Sequence, residues 1–258
     1  MRTLAIWIVC GVTCLGSSAL FAEESSGWSN PISADRAGFS DSSATVQPGV
    51  FQAELGFEGS FGETMSGGLN LLTRAGLVDG LEIRAEIPSW TVPLEDGQEM
   101  TVPVVEVGLK WQWLRTQQWS LAVLPTVLIP TGSKNSVYGD VSGSLSLIAD
   151  VSIASDWTLT TSVTPRWLRV ESGENLENQF DVSFAAGLGW SPSQSLGFYL
   201  EGWGVVAEGV DGYEITPAGD LVLSVTVTPD MMLDLYGGVQ WMNDDVIPYG
   251  GGGFSVRL

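Results

Sequence analysis

Apolar and polar side chains alternate through most of the chain, from Val50 to Leu258. In Phe51–Glu58, residues Phe, Ala, Leu and Phe alternate with Gln, Glu, Gly and Glu, and Leu81–Ile87, Leu145–Ser152 and Phe180–Trp190 repeat the pattern. A strand turns successive side chains to opposite faces, so this period predicts strands with one apolar and one polar face. The alternation therefore predicts an all-β fold.

Tight turns and longer acidic loops divide the predicted strands into hairpins. Counting from Phe51 gives twelve strands, an even number. The turns recur about every 38 residues, which is also the repeat of a β-propeller blade. A blade needs four short strands per repeat, whereas this chain offers two long ones of about 9–11 residues, enough to cross a hydrocarbon layer. The turns are predicted near Leu77–Asp79, Arg115–Gln118, Ala154–Asp156, Ser191–Ser193 and Thr228–Asp230.

Tryptophan and lysine indicate which face meets lipid. Trp111, Trp113 and Trp119 lie beside one tight turn, and other tryptophans also lie at strand ends, as in the aromatic girdles of membrane barrels. The whole chain has two lysines, Lys110 and Lys134, fewer than a soluble surface carries. The alternative is a soluble barrel with its tryptophans packed in an apolar core. We interpret the chain as a single antiparallel transmembrane β-barrel of the outer-membrane type, with about 12 strands.

The first 22 residues have the pattern of a secretory signal peptide. Arg2 supplies a basic start, Leu4–Leu15 an apolar run, and cleavage is expected after Ala22. An uncleaved anchor is the alternative, but the apolar run is shorter than the roughly 20 residues that a helical span needs. A lipoprotein signal is disfavoured because Cys10 and Cys14 lack a small residue before them. We therefore expect export and a location in the outer membrane.

The mature chain is expected to have two parts. Residues 23–48 are polar, rich in Ser, Ala and Asp, and without periodicity, so we predict an irregular N-terminal arm. Residues 49–258 carry the alternating pattern and are predicted to form the barrel. The chain ends in Phe254–Leu258, again alternating, which suits an outer-membrane barrel, and the barrel-assembly machinery is an expected partner. A monomer embedded in outer-membrane lipid is the expected state.

Charge and residue types exclude several functions. Thirty acidic against ten basic residues give a net charge of −20, which argues against nucleic acid as a partner. The chain has no histidine, so histidine-dependent hydrolases are excluded, and both cysteines lie in the signal peptide. Paired carboxylates such as Glu82 and Glu86 are more simply explained as ions neutralised by arginines than as an acid–base pair. We expect no enzyme activity, cofactor or metal site.

The alternation projects a set of charged side chains onto the polar face, which lines the lumen of a membrane barrel. We expect the basic members to pair with some of the carboxylates, because buried charges need partners. The excess of acids would favour cations or neutral solutes if water threads the lumen. Alternatively, the pairs only fill and rigidify a closed barrel. The candidates are Glu54, Glu58, Arg74, Glu82, Arg84, Glu86, Glu106, Lys110, Asp150, Arg166, Asp181, Glu201, Asp220, Asp234 and Arg257.

Short motifs along the chain resemble a known family. They begin with Asp35–Ser40 and Pro48–Glu54 and continue through Ala75–Arg84 and Val107–Trp111 to the close at Gly250–Leu258. In this order they resemble outer-membrane transporters of the phenol-degradation meta-pathway family. The resemblance implies a barrel and the uptake of small solutes, hydrophobic or aromatic ones among them.

Two functions therefore stay open on the sequence. The first is a channel or transporter for a small-molecule solute, with the acidic lumen as its filter. The second is a structural or adhesion barrel without transport, whose lumen is plugged by its own side chains or by the arm at 23–48.

Overall fold

The computed structural model describes residues 32–36, 38–61, 65–92, 104–131, 138–172, 175–209, 212–242 and 245–258. The predicted signal peptide and the start of the predicted arm lie outside these ranges. Across these ranges, no helix has the length and apolar character that a membrane span requires.

Within the described ranges, twelve antiparallel strands form one closed barrel, so the predicted fold and strand number are confirmed. Each strand pairs with its neighbours in sequence, and β1 pairs with β12 to close the barrel. At the seam, the amide of Leu258 donates to the carbonyl of Phe51 at 2.8 Å. The strands are β1 Phe51–Phe61, β2 Met65–Val78, β3 Leu81–Val92, β4 Val104–Arg115, β5 Trp119–Pro130, β6 Ser142–Ala154, β7 Trp157–Ser172, β8 Asn175–Ser193, β9 Leu196–Gly209, β10 Gly212–Thr228, β11 Met231–Met242 and β12 Asp245–Arg257.

Several strands run further than the sequence pattern predicts. The turn expected at Ser191–Ser193 is wrong, because these residues complete β8 and the turn is at 194–195. The acidic stretch 171–178 similarly belongs mostly to the ends of β7 and β8. Polar residues in a strand that extends beyond the lipid have the same composition as a loop, so alternation against apolar residues no longer marks them.

The two faces of the sheet differ as the alternation predicts. In β1, Phe51, Leu55 and Phe57 are exposed on the outside, while Gln52 and Glu54 are buried. A contiguous apolar outer surface is a liability in water but is what a barrel presents to hydrocarbon. The tryptophans exposed on this surface near strand ends are Trp111, Trp113, Trp119, Trp167, Trp190 and Trp241.

Candidate functional site

Residues 32–36 and 38–48 lie mostly inside the barrel, and we call this segment the arm. It begins at the end of the barrel that carries the tight turns, where the amide of Ile32 donates to the carbonyl of Pro229 at 3.0 Å. It reaches inward as far as Phe39 and Asp41 and returns to the same end, where Pro48 forms a bridge with Gly76. A Cβ at Gly76 would overlap the backbone of Gln47, so glycine permits this close approach. The arm thus fills the turn-end part of the lumen as a loop.

Most of the predicted lumen residues are buried in this interior. The exceptions are Glu58, Glu106, Arg166 and Arg257, which are partly exposed. Arg257 lies apart from the others, because its guanidinium binds the Asp230 carboxylate at 2.9 Å in a turn at the rim. The buried members are Glu54, Arg74, Glu82, Arg84, Glu86, Lys110, Asp150, Asp181, Glu201, Asp220 and Asp234.

Seven of the inward charged residues of β1–β4 form what we call the ion-pair wall: Glu54, Arg74, Glu82, Arg84, Glu86, Glu106 and Lys110. Its centre is Arg74, whose guanidinium forms two 3.0 Å hydrogen bonds to Glu82 and one of 3.3 Å to Glu54. Arg74 also donates to the carbonyl of Ala44 in the arm at 3.2 Å. The predicted pairing of lumen cations with carboxylates is present in this wall.

Asp35 of the arm is fully buried against the ion-pair wall. Its carboxylate lies 3.1 Å from Arg74 and 3.5 Å from Arg84, and it also pairs with Lys110. Asp35 lies outside the membrane-spanning strands. Burial raises the pKa of its carboxyl, but Arg74, Lys110 and Arg84 outweigh burial and lower that pKa to about 2. One carboxylate of the arm therefore forms ion pairs with three cations of the barrel.

Aromatic side chains cover a different part of the lumen. We call Tyr199, Trp203, Tyr236 and Tyr249, on β9, β11 and β12, the aromatic wall. The ring of Phe39 stacks on Trp203 with 4.2 Å between centroids and an interplanar angle of 6°. Sequence reasoning missed these inward rings, although Tyr199 and Trp203 share the face of Glu201 by period 2.

Two carboxylates beside the aromatic wall accept hydrogen bonds from uncharged donors. Asp220 accepts from Trp203 at 3.0 Å and from Tyr249 at 2.8 Å. Glu201 accepts from the Phe39 amide at 2.6 Å, from the Ser40 amide at 3.1 Å and from the Ser40 hydroxyl. The arm is therefore held on this side by its backbone as well as by its side chains.

Arg36 of the arm brings a positive charge to the same side of the lumen. It pairs with Asp234 on β11, and both side chains are fully buried. Its guanidinium lies where a Cβ would stand on Gly56 or Gly253, so two glycines in β1 and β12 make room for it. Adjacent residues of the arm, Asp35 and Arg36, thus satisfy opposite charges on two sides of the barrel.

A cavity of about 60 Å³ lies on the loop side of the arm. Phe39 and Asp41 of the arm form part of its lining, together with Arg84, Glu86, Glu106 and Arg166 of the barrel. Arg166 is bound in a bidentate pair to Asp181, with distances of 2.6 and 2.9 Å. We call this space the loop-side cavity. Hydroxyls of Thr126, Ser144, Ser146, Ser162, Thr164 and Ser183 complete its polar lining.

The ranges that the structure describes contain no group of three or more His, Cys, Asp or Glu residues placed to bind a metal ion. The interior offers charge, hydroxyls and a small polar space. With its apolar exterior, this interior defines a porin-like barrel of the outer membrane whose lumen is occupied by its own N-terminal segment.

The chain belongs to the family described as "Putative MetA-pathway of phenol degradation", whose model matches residues 34–258. This match confirms the resemblance seen in the sequence motifs, and it includes most of the arm. No curated protein sequence matches the chain significantly.

Solved outer-membrane channels share the fold. A channel from Pseudomonas putida F1 superposes with a TM-score of 0.61 at 9% identity, covering 83% of this chain and 97% of that one. The NanC porin gives a TM-score of 0.60 at 10% identity, covering 81% of this chain and 100% of that chain. The KdgM porin gives 0.53 at 10% identity, covering 79% and 98%. At these identities the likeness is one of fold.

Proposed function

We propose that this protein is a channel that carries small solutes across the outer membrane, with the arm as its removable closure. The observation that carries the proposal is that the segment filling the lumen is not paired into the strands of the barrel. The turn end of the lumen is occupied by an irregular segment with few hydrogen bonds to strand backbone. A segment held by side chains of the barrel, rather than by its strand backbone, can leave without breaking the barrel's ladders.

The excess of negative charge in the lumen supports a preference for cations and neutral solutes over anions. The barrel contributes ten acidic and five basic candidates, and the arm adds Asp35 and Asp41 against Arg36. Rings of charged side chains set the selectivity of narrow pores, so an excess of carboxylates favours cations and neutral solutes over anions. The family description points to phenol degradation, and it is the reason to include hydrophobic and aromatic compounds among the solutes.

The competing proposal is a structural barrel that never opens. The density of buried ion pairs around Asp35 favours it, since such a network fixes the arm firmly. The two proposals differ in the conductance they predict once the arm is released: the channel opens, whereas the structural barrel stays closed.

Conductance in planar bilayers tests the proposal. We would refold the mature protein and a double variant, Asp35→Asn with Arg36→Gln, and record single channels under a KCl gradient. The expected result is rare, small steps for the unaltered protein, and larger, more frequent, cation-selective steps for the variant, because its arm has lost both ion pairs.

A matched control makes the same chemical changes at two exposed residues, Asp79 in a tight turn and Arg115 at the end of β4. The control should behave like the unaltered protein. Silence from a variant that retains its strand content by circular dichroism, and whose arm is shown by proteolysis to be released, would contradict the channel and support the structural barrel.

A further inference from the structure

Two cations of the ion-pair wall depend on the arm for their hydrogen bonds. Lys110 donates to the carboxylate of Asp35 and, at 2.9 Å, to the carbonyl of Ser42. Arg84 donates to Asp35 at 3.5 Å and to Asp41 at 2.6 Å. The barrel carboxylates paired with these cations lie beyond hydrogen-bond distance, at 3.9 Å from Lys110 and 3.6 Å from Arg84. When the arm leaves, both cations therefore lose the hydrogen bonds that the structure describes for them.

Two buried carboxylates across the lumen depend on the arm in the same way. Asp234 on β11 accepts from the guanidinium of Arg36. Glu201 on β9 accepts from the amides of Phe39 and Ser40 and from the Ser40 hydroxyl. Within the described ranges, neither carboxylate accepts a hydrogen bond from a side chain of the barrel. Release of the arm therefore leaves both carboxylates without these donors.

Other charged residues of the lumen have partners within the barrel itself. Arg74 donates to Glu54 and Glu82, and Arg166 is bidentate with Asp181. These pairs stay together whether or not the arm is present. The groups that need the arm are therefore a separate set, and we call them the arm-dependent charges: Arg84, Lys110, Glu201 and Asp234.

The positive and the negative arm-dependent charges lie on different sides of the barrel. Lys110 on β4 and Asp234 on β11 are five strands apart in one direction around the closed sheet and seven in the other, so they lie almost opposite. No lysine or arginine occurs in the sequence between Arg169 and Arg257, which includes all of β8 to β11. Strands in this half of the barrel thus cannot supply a cation to Asp234 or Glu201. The vacated lumen would have a positive side and a negative side.

The docked arm shows what kind of molecule fits between the two sides. Asp35 pairs with Lys110, and the next residue, Arg36, pairs with Asp234. The Cα atoms of adjacent residues are about 3.8 Å apart, so a single dipeptide unit spans the lumen with its two side chains. Buried charges need partners, and here one peptide segment supplies both signs.

We propose that the lumen, once the arm has left, binds a dipolar solute without net charge, of the class of a short peptide with a carboxylate and a cationic group on neighbouring residues. The solute carboxylate would replace Asp35 beside Lys110 and Arg84. The cationic group would replace Arg36 at Asp234. This inference rests on the proposed function and deepens it, because it names a class of solute for the opened channel.

The two-sided arrangement of charge favours a dipolar solute over a singly charged one. A simple cation would neutralise Asp234 but leave Lys110 and Arg84 without an anion, and a simple anion would do the reverse. A solute that carries both charges satisfies both sides, as the arm does. It is neutral overall, so the excess of carboxylates in the lumen does not repel it as it would an anion.

Calorimetric titration tests the site in the folded, detergent-solubilised double variant Asp35→Asn with Arg36→Gln, whose arm has lost both ion pairs. The probes are four dipeptides with acetylated amino and amidated carboxyl ends: Asp-Arg, Asn-Arg, Asp-Gln and Asn-Gln. We expect saturable binding of the Asp-Arg peptide and at least tenfold weaker binding of each singly charged peptide, because each loses a charge-assisted hydrogen bond. The unaltered protein should bind the Asp-Arg peptide at least tenfold more weakly, since its arm occupies the site.

Several results would overturn the assignment. These are no binding of the Asp-Arg peptide, equal binding of the Asn-Gln peptide, and tighter binding of either singly charged peptide. Proteolysis of the same sample reports whether the arm has been released. An arm that stays docked without both charges would also overturn the assignment, because the lumen would then not need a dipolar occupant.

Further substitutions in the double variant locate the two ends of the peptide. Lys110→Gln should abolish the preference for Asp-Arg over Asn-Arg and keep the preference for Asp-Arg over Asp-Gln. Asp234→Asn should have the reverse effect, and the preference that remains shows in each case that the barrel is folded. The controls are Arg115→Gln and Glu177→Gln, at exposed residues, which should keep both preferences.

Both preferences retained in the two lumen variants, or lost equally in the controls, would contradict the site. Binding and conductance are measured separately. A protein that binds the Asp-Arg peptide but never conducts would contradict the channel and support the site. A protein that conducts but does not bind the peptide would contradict the site and leave the channel in place.

Discussion

The arm is fixed by different chemistry on its two sides. Against the ion-pair wall, one fully buried carboxylate, Asp35, lies among Arg74, Arg84 and Lys110. Against the aromatic wall, Phe39 stacks on Trp203, Glu201 accepts from backbone amides of the arm, and one buried ion pair joins Arg36 to Asp234. Removing a partner from a buried ionic group leaves uncompensated charge, whereas removing a ring from a stack loses only contact. The first wall should therefore decide whether the arm stays docked, and the second where it lies.

Breaking the ion-pair wall should have the largest effect. Asp35→Asn leaves three buried cations with one anion fewer, which costs about 3–5 kcal/mol in comparable buried pairs. We expect the arm to leave the lumen and to become cleavable by added protease in the folded protein. Asp79→Asn, an exposed aspartate at a turn, is the matched control and should leave the arm protected. An arm that stays protected in Asp35→Asn would show that the aromatic wall suffices.

Crowding the space around Arg36 should release the arm to an intermediate extent. In Gly253→Ala the new methyl group overlaps the Arg36 guanidinium and the carbonyl of Leu55, and overpacking of this kind costs about 1–3 kcal/mol. The expected result is a partly cleavable arm in the same protease assay. Gly59→Ala, where the nearest backbone atom is 3.5 Å from the added Cβ, should be silent. Similar cleavage of both variants would mean that the effect arises from glycine replacement in β1 and β12 generally.

Weakening the aromatic wall should have the smallest effect. Phe39→Leu keeps an apolar side chain but loses the stack on Trp203, worth about 0.5–1.5 kcal/mol. We expect the arm to stay docked, with a change in near-ultraviolet circular dichroism from the altered environment of Trp203. Phe57→Leu, at a ring exposed on the outside of the barrel, should leave that signal unchanged. Release of the arm by Phe39→Leu would reverse the order of the two walls.

The barrel was predictable from sequence to a large extent, and the path of the arm was not. Period 2 identifies the strands and the inward position of Glu82 and Lys110, because it follows directly from strand geometry. The same period misplaces the turn at Ser191–Ser193, since polar strand ends carry no apolar contrast. The arm has no period at all. The pairing of Arg36 with Asp234 across 198 residues depends on barrel closure, which local pattern does not contain.

The inward aromatic rings were more predictable from sequence than the path of the arm and less predictable than the strands. Period 2 from Glu201 places Tyr199 and Trp203 on the lumen face, yet the aromatic girdles of membrane barrels favour lipid contact for tryptophan and tyrosine. Trp203 differs from the girdle tryptophans in its partners, since its indole donates to Asp220 and its ring receives Phe39. Those partners come from another strand and from the arm.

The pairing of Arg36 with Asp234 also sets an order of assembly. The arm is synthesised before every strand, but the groups that receive Arg36 lie on β11 and on β1 and β12, and β11 and β12 are synthesised last. Contacts between residues so distant in sequence form only after the intervening chain has been organised. The arm is therefore synthesised before all the strands but docks after them. A docked arm indicates that the final hairpin, β11 and β12, has closed the barrel.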